Sequence, residues 1–266
     1  MDSSELGEGD MSNLPKRPAT NVPSVPGFAQ IGPVPFSPTP NHQPDLLSEL
    51  QQCGCPVCNH LVEAAFEFFR KWLYRLSSDE RSQRAFADQL GFCPLHTWQL
   101  AALASPLGLS HGYPKLLGRL SAALSSLSGE PSETAGAVAA LIRSPQSCQV
   151  CGLLRSAERE YIARLSQYLT EPAGRDAYAC CQGVCLRHLA SLLAASPPAD
   201  LARFLLSDAA RQFDQLAEDM RNYALKRDAV RRDLLTGDEE DAHLRALVHL
   251  AGHKALCVPQ SHERSV

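Results

Sequence analysis

No run of eighteen apolar residues occurs in this chain. Its most apolar region, 186–206, is broken by Pro197-Pro198, so no membrane-spanning helix is expected. Alternation of apolar and polar residues is missing and β-branched residues are sparse, which removes the case for strands. Neither sign of charge dominates: the net charge is -4 and the pI about 6.1. That gives no global reason to expect nucleic acid or an anionic membrane as partner. HExxH, GxSxG, P-loop and GxGxxG strings are all absent, so no catalytic residue and no organic-cofactor residue is nominated. An enzyme is the less expected class. The first residues, Met1 to Leu14, are acidic and polar with no apolar core of a signal peptide. A cytoplasmic address is therefore expected, where thiols stay reduced and CxxC pairs serve metal or redox chemistry more often than disulfides.

Against these absences stand ten cysteines, and eight positions form a pattern that occurs twice. The first copy is Cys55-Pro-Val-Cys58 followed by Cys93-Pro-Leu-His96. The second is Cys148-Gln-Val-Cys151 followed by Cys185-Leu-Arg-His188. The halves are separated by 34 residues in the first copy and 33 in the second. Three thiolates and one imidazole make a closed tetrahedral set of the kind Zn²⁺ prefers. A single CxxC is weak evidence, whereas two CxxC…CxxH units with matched spacing point to two metal ions per chain. Buried thiols beside ordinary core histidines would not be expected to duplicate at all eight positions. An iron–sulfur cluster is the rival cofactor, since histidine can replace cysteine in such ligation. Exchange of half-sets between the copies is not excluded by the sequence.

The duplication extends beyond the ligands. Leu61, Phe68, Phe69, Trp72 and Leu76 share one face of a helix. A shift of 93 residues turns them into Leu154, Tyr161, Ile162, Leu165 and Leu169. A shift of 92 pairs Phe86 with Tyr178, Gly91 with Gly183, Phe92 with Val184 and Leu100 with Leu192. Each repeat thus reads as CxxC, long helix, short helix, Gly-apolar-Cys-x-x-His, helix and an antiparallel return. Ser78 is predicted to cap the short helix that ends at Gly91. The return is expected over 113–127 and 133–143 in the first repeat. In the second it is one long helix, about 200–235, with an apolar seam of Leu201, Leu205, Phe213, Leu216, Met220 and Tyr223. A last helix should run from about Glu239 to Ala251 and stop at Gly252. The expected organisation is an all-α duplicated bundle: a disordered Pro-rich tail over 1–45, repeats over 46–145 and 146–254, and a C-terminal tail over 255–266.

Both halves of each motif open a helix. The i, i+3 spacing places thiolate and imidazole on one face of a first turn. The free N–H groups and partial positive charge there favour thiolate and disfavour imidazolium. The other cysteines fall outside the repeat: Cys180 and Cys181 align with Asp88 and Gln89, and Cys53 with Gln146. They read as free thiols, or alternatively as a redox relay able to exchange with the ligands. Cys257 reads as incidental. His60 is expected to point away from the ligands, and His249 and His253 to lie on the surface. The basic stretch Arg221, Lys226, Arg227, Arg231 and Arg232 is interleaved with Asp219, Asp228 and Asp233, so it reads as a solvated mixed-charge face.

The strings Cys55-Pro56-Val57-Cys58 and Gly91-Phe92-Cys93-Pro94-Leu95-His96 resemble a bacterial family of unknown function with two such units on a helical scaffold. Their counterparts Cys148-Gln149-Val150-Cys151 and Gly183-Val184-Cys185-Leu186-Arg187-His188 depart from the string at Gln149, Val184 and Leu186 but keep every ligand. The resemblance covers roughly 50–250. It implies a bacterial origin and the duplication, and it implies no activity. The sequence leads to a zinc-binding helical module, its metal structural, acting as an adaptor or regulator. The alternatives are a redox-responsive zinc sensor and an iron–sulfur protein. A protein partner is expected and a homodimer is possible; membrane and nucleic acid are not expected partners.

Overall fold

The computed structural model describes residues 45–226 and 232–257. Within them the chain is helical, with no strand among the described residues. The Pro-rich segment 1–44, residues 227–231 (with Arg227, Asp228 and Arg231 of the basic stretch) and residues 258–266 lie outside that range, as do the side chains of Arg232 and Cys257.

The helices run in the order α1 (Leu46–Leu50), α2 (Pro56–Ser78), α3 (Glu80–Asp88), α4 (Pro94–Leu103), α5 (Pro106–Gly112), α6 (Pro114–Ser125) and α7 (Pro131–Ala140). The second repeat follows with α8 (Gln149–Tyr168), α9 (Pro172–Ala179), α10 (Leu186–Ala194), α11 (Ala199–Lys226), α12 (Gly237–Ala251) and α13 (Lys254–Cys257). Proline writes many of the starts: Pro56, Pro94, Pro106, Pro114, Pro131 and Pro172 each open a helix. The ring presets a helical φ where the missing N–H would have had no partner anyway.

Asp79, not the predicted Ser78, caps α3. The Ser78 hydroxyl instead donates to the Tyr74 carbonyl at 2.8 Å, whereas Asp79 accepts from Arg81 N and Ser82 N at 3.0 and 3.1 Å. Asp79 is extended (φ -124, ψ 111), which breaks the chain between α2 and α3 and lets α3 turn back. α3 ends at Asp88, earlier than predicted: Leu90 (φ 57) takes the left-handed C′ place expected of Gly91, which follows with φ 72 and donates its N–H to Phe86 O at 2.9 Å. Its counterpart Gly183 has φ 68.

The expected long return of the second repeat is α11, and α12 folds back along it. Arg245 reaches Asp219 at 3.1 Å and Lys226 reaches Glu239 at 2.6 Å. Thr236 and Glu239 form a complete capping box at the start of α12. The predicted seam holds at Leu201, Leu205 and Leu216, which are buried, but Met220 is 42% exposed. The return of the first repeat is broken into α5, α6 and α7, and α7 buries no residue.

Two apolar cores result, and each draws on both repeats. One joins Val57 and Leu61 of α2 to Tyr161, Ile162, Leu165 and Leu169 of α8 and its following loop, together with Leu189, Leu192, Leu201 and Leu205. The other joins Ala65, Phe69, Trp72 and Leu76 of α2 to Phe86, Phe92, Leu100, Leu116 and Val150. The start of α2 therefore meets the end of α8, and the later half of α2 meets the start of α8. The two long helices are an antiparallel pair.

Candidate metal centres

The four leading cysteines, Cys55, Cys93, Cys148 and Cys185, are helix N-caps with extended backbone, and none uses its side chain to cap. Cys58, His96, Cys151 and His188 each stand three residues later, at N3. N-cap and N3 are the positions whose side chains converge in a capping box. Here the same convergence aims sulfur and nitrogen at a common point beside the helix start.

The structure brings the eight predicted ligands together in two groups: Cys55, Cys58, Cys185 and His188, and Cys93, His96, Cys148 and Cys151. In each group the ligand atoms all lie within 4.8 Å of one another. The half-sets are thus exchanged. Each CxxC meets the CxxH of the other repeat, which corrects the grouping read along the chain. Helix length is the reason. Phe69 lies eleven residues after Cys58, about 16 Å along α2 at the usual rise. α3 turns back only far enough to lay His96 beside Phe69, with ring centroids 6.3 Å apart. A metal–sulfur bond of about 2.3 Å cannot bridge that span. The antiparallel α8 begins at that level and supplies the missing pair.

In the first group, His188 Nδ1 is 3.3 Å from Cys55 Sγ, 3.4 Å from Cys58 Sγ and 3.2 Å from Cys185 Sγ, and Cys58 Sγ is 3.9 Å from Cys185 Sγ. In the second, His96 Nδ1 is 3.1 Å from Cys93 Sγ, 3.6 Å from Cys148 Sγ and 3.3 Å from Cys151 Sγ, and Cys93 Sγ is 3.8 Å from Cys151 Sγ. A tetrahedron with metal–sulfur bonds of about 2.3 Å and metal–nitrogen bonds of about 2.0–2.1 Å has edges of about 3.8 Å between sulfurs and about 3.6 Å from sulfur to nitrogen. The donor sets have that size. They are far too open for disulfides, whose sulfurs bond at about 2.0 Å.

The crowded thiols split in acidity. Hydrogen bonds from Cys55 and Cys58 drive Cys185 far below the ordinary thiol range, while its contact with Cys185 drives Cys58 far above it. Burial opposes ionisation of Cys148, yet His96 holds it down to about 6. Burial and the neighbouring Cys148 and Cys93 push Cys151 up to about 12. By themselves, three thiols in one such pocket cannot all ionise; a divalent cation is what would let them. The residues present fit a metal ion by number, type and spacing.

The helices around the first group shield it closely. Gly252 ends α12 with φ 79, and a Cβ there would lie 3.5 Å from Cys58 Sγ and 4.0 Å from Cys185 Sγ. His249, expected on the surface, is buried with 7% exposure against Phe213, at 5.6 Å between ring centroids, because α12 packs inward here. Burial lowers its pKa and favours the neutral ring. His60 packs on Tyr161, 4.8 Å between centroids, and belongs to neither group. Cys53 and Cys180 are exposed, and burial raises Cys181 to about 11, which opposes thiolate chemistry there.

The model of the family described as "Family of unknown function (DUF6062)" matches residues 47–255, a span that takes in both ligand groups. The chain belongs to that family. No curated protein and no solved structure matches it. No helix among the described residues of this DUF6062 chain is long and apolar enough to cross a membrane.

Proposed function

We propose that this chain is a zinc-stabilised helical module that binds a protein partner, with two structural ions that fasten its repeats to each other. The observation that carries this reading is the exchange of half-sets. Each ion would tie the start of α2 or α8 to a helix start of the other repeat, so metal binding and assembly of the two cores become one event. Four protein ligands per site leave no position for substrate or water, as in structural zinc sites. Convergence of each donor set on a single point favours one ion over an iron–sulfur cluster, in which thiolates bind different irons. The partner reading draws support from a groove of about 530 Å³ lined by Leu73, Tyr74, Leu103, Leu107 and His111. Tyr74 is 75% exposed at its edge, a residue type favoured in binding surfaces.

Elemental analysis of anaerobically purified protein, with a visible spectrum, tests the metal. Two zinc ions per chain and no colour are expected; brown protein carrying iron and sulfide would overturn it. A second reading, zinc release on thiol oxidation, rests on the exposed Cys53 and Cys180. Gly54 N–H donates to Gln182 Oε1 at 2.7 Å, which brings the loops bearing these thiols together beside the Cys55 group. Mild peroxide should then release zinc, and full retention would dispose of that reading.

A further inference from the structure

We propose that Glu158 is a positioning residue for the Cys55–Cys58–Cys185–His188 site and makes it the more retentive of the two; this rests on the metal reading above. His188 turns Nδ1 to the three sulfurs, so Nε2 faces the opposite way. That nitrogen is buried without a hydrogen-bond partner among the described residues, and Glu158 Oε1 stands 3.4 Å from it, at ion-pair distance but outside hydrogen-bond geometry. The Glu158 side chain is only 16% exposed, and its other oxygen accepts from Arg187 at 2.9 Å. A carboxylate beside the second nitrogen of a metal-binding histidine is the group that can fix its tautomer and orientation by accepting the ring N–H.

The repeat makes this a difference between sites. The 93-residue shift that pairs the long helices places Ala65 opposite Glu158, and the 92-residue shift that pairs the CxxH motifs places Leu95 opposite Arg187. Both members of the ion pair are therefore apolar in the first repeat, where Ala65 is buried and Leu95 packs against the core. Among the described residues no carboxylate lies within ion-pair distance of His96; its ring faces Phe69. Burial points the same way. All four ligands of the Glu158-supported site are buried, whereas Cys151 of the other is only half-buried. Identical ligands with unequal support should hold their ions unequally.

The full-length chain loaded with zinc and challenged by a chelator tests this, alongside cadmium NMR of the cadmium-loaded chain. The wild type should release its two ions in two phases and show two cadmium resonances. Glu158→Ala should weaken one site ~10–100-fold, speeding the slow phase accordingly. Glu158→Gln keeps an acceptor of the same size and should fall between the two. Only one resonance should move in either variant, with metal content and helix signal unchanged at saturation. Two bound ions whose release and resonances are untouched by both variants, or altered equally at both sites, would overturn the proposal and leave the metal reading standing. A wild-type chain that binds no metal would remove the metal reading itself.

Discussion

The two ends of the α2–α8 pair carry the same candidate ligands on the same helix positions but are packed by different means. At the Cys93–Cys151 end the core is aromatic: Phe86 and Phe92 lie 5.1 Å apart, Phe68 stacks on Trp72 at 5.8 Å, and Trp72 meets Phe86 at 6.2 Å. At the Cys55–Cys185 end the equivalents of Phe69, Trp72 and Phe92 are Ile162, Leu165 and Val184. Further helices bring apolar surface instead: Leu201 and Leu205 from α11, Val248 from α12 and Leu256 from α13. A core position asks only for apolar volume, and rings or extra helices can both provide it. A ligand position asks for a donor atom of one kind at one distance. Packing has diverged between the repeats while the donor sets have not.

The largest effect expected is that of removing metal from both ends. Structural zinc of this type contributes about 10–16 kcal/mol in small domains, and a domain's whole stability is about 5–15 kcal/mol. Chelation should abolish cooperative thermal unfolding monitored by circular dichroism; an unchanged cooperative melt would refute a structural role. Next comes a test that separates exchanged from unexchanged sites. Cys58→Ser with Cys185→Ser damages one group only, so about one of two ions should remain. Cys58→Ser with Cys93→Ser damages both, and metal content should fall toward none. Ligand sets confined to single repeats would give the opposite pattern by elemental analysis.

The comparison of cores predicts smaller changes. Phe69→Ala should cost about 3–5 kcal/mol and Leu165→Ala about 2–5 kcal/mol, from burial lost and cavity left. Both side chains are buried, Phe69 at 2% and Leu165 at 0% exposure. Denaturant unfolding of the metal-loaded protein measures both. A cost below about 1 kcal/mol at Phe69 would mean that the aromatic end is not a packed core.

Much of this arrangement was legible in the residues. The all-helical class, the eight donors and the duplicated apolar face follow from spacing and residue type, whereas the left-handed turn that closes α3 falls on Leu90 rather than Gly91. The exchange of half-sets did not follow, because CxxC and CxxH carry no record of which partner they meet. It emerges only when the length of α2 is set against the short reach of α3. His249 was misplaced for a related reason: periodicity gives the face of a helix, but what α12 packs against is decided by α11. Glu158 left a weak sign, a charge where its counterpart is Ala65. That sign becomes readable only once His188 is seen to turn its second nitrogen toward it.

The smallest predicted effect lies where the two ends differ by one methylene. Asp79 and Glu171 are equivalent under the 92-residue shift, and each is the N-cap of the short helix after its long one. Asp79 reaches two backbone N–H groups, whereas the longer Glu171 caps none, and its helix begins on Pro172 instead. Proline removes one of the N–H groups that would otherwise want a partner and presets the backbone. Asp79→Ala should therefore cost about 1 kcal/mol, and Glu171→Ala less than about 0.5 kcal/mol, as for a surface change. Equal costs at the two positions, read from urea unfolding midpoints, would show that the side-chain cap at Asp79 contributes nothing beyond what Pro172 provides at the other end.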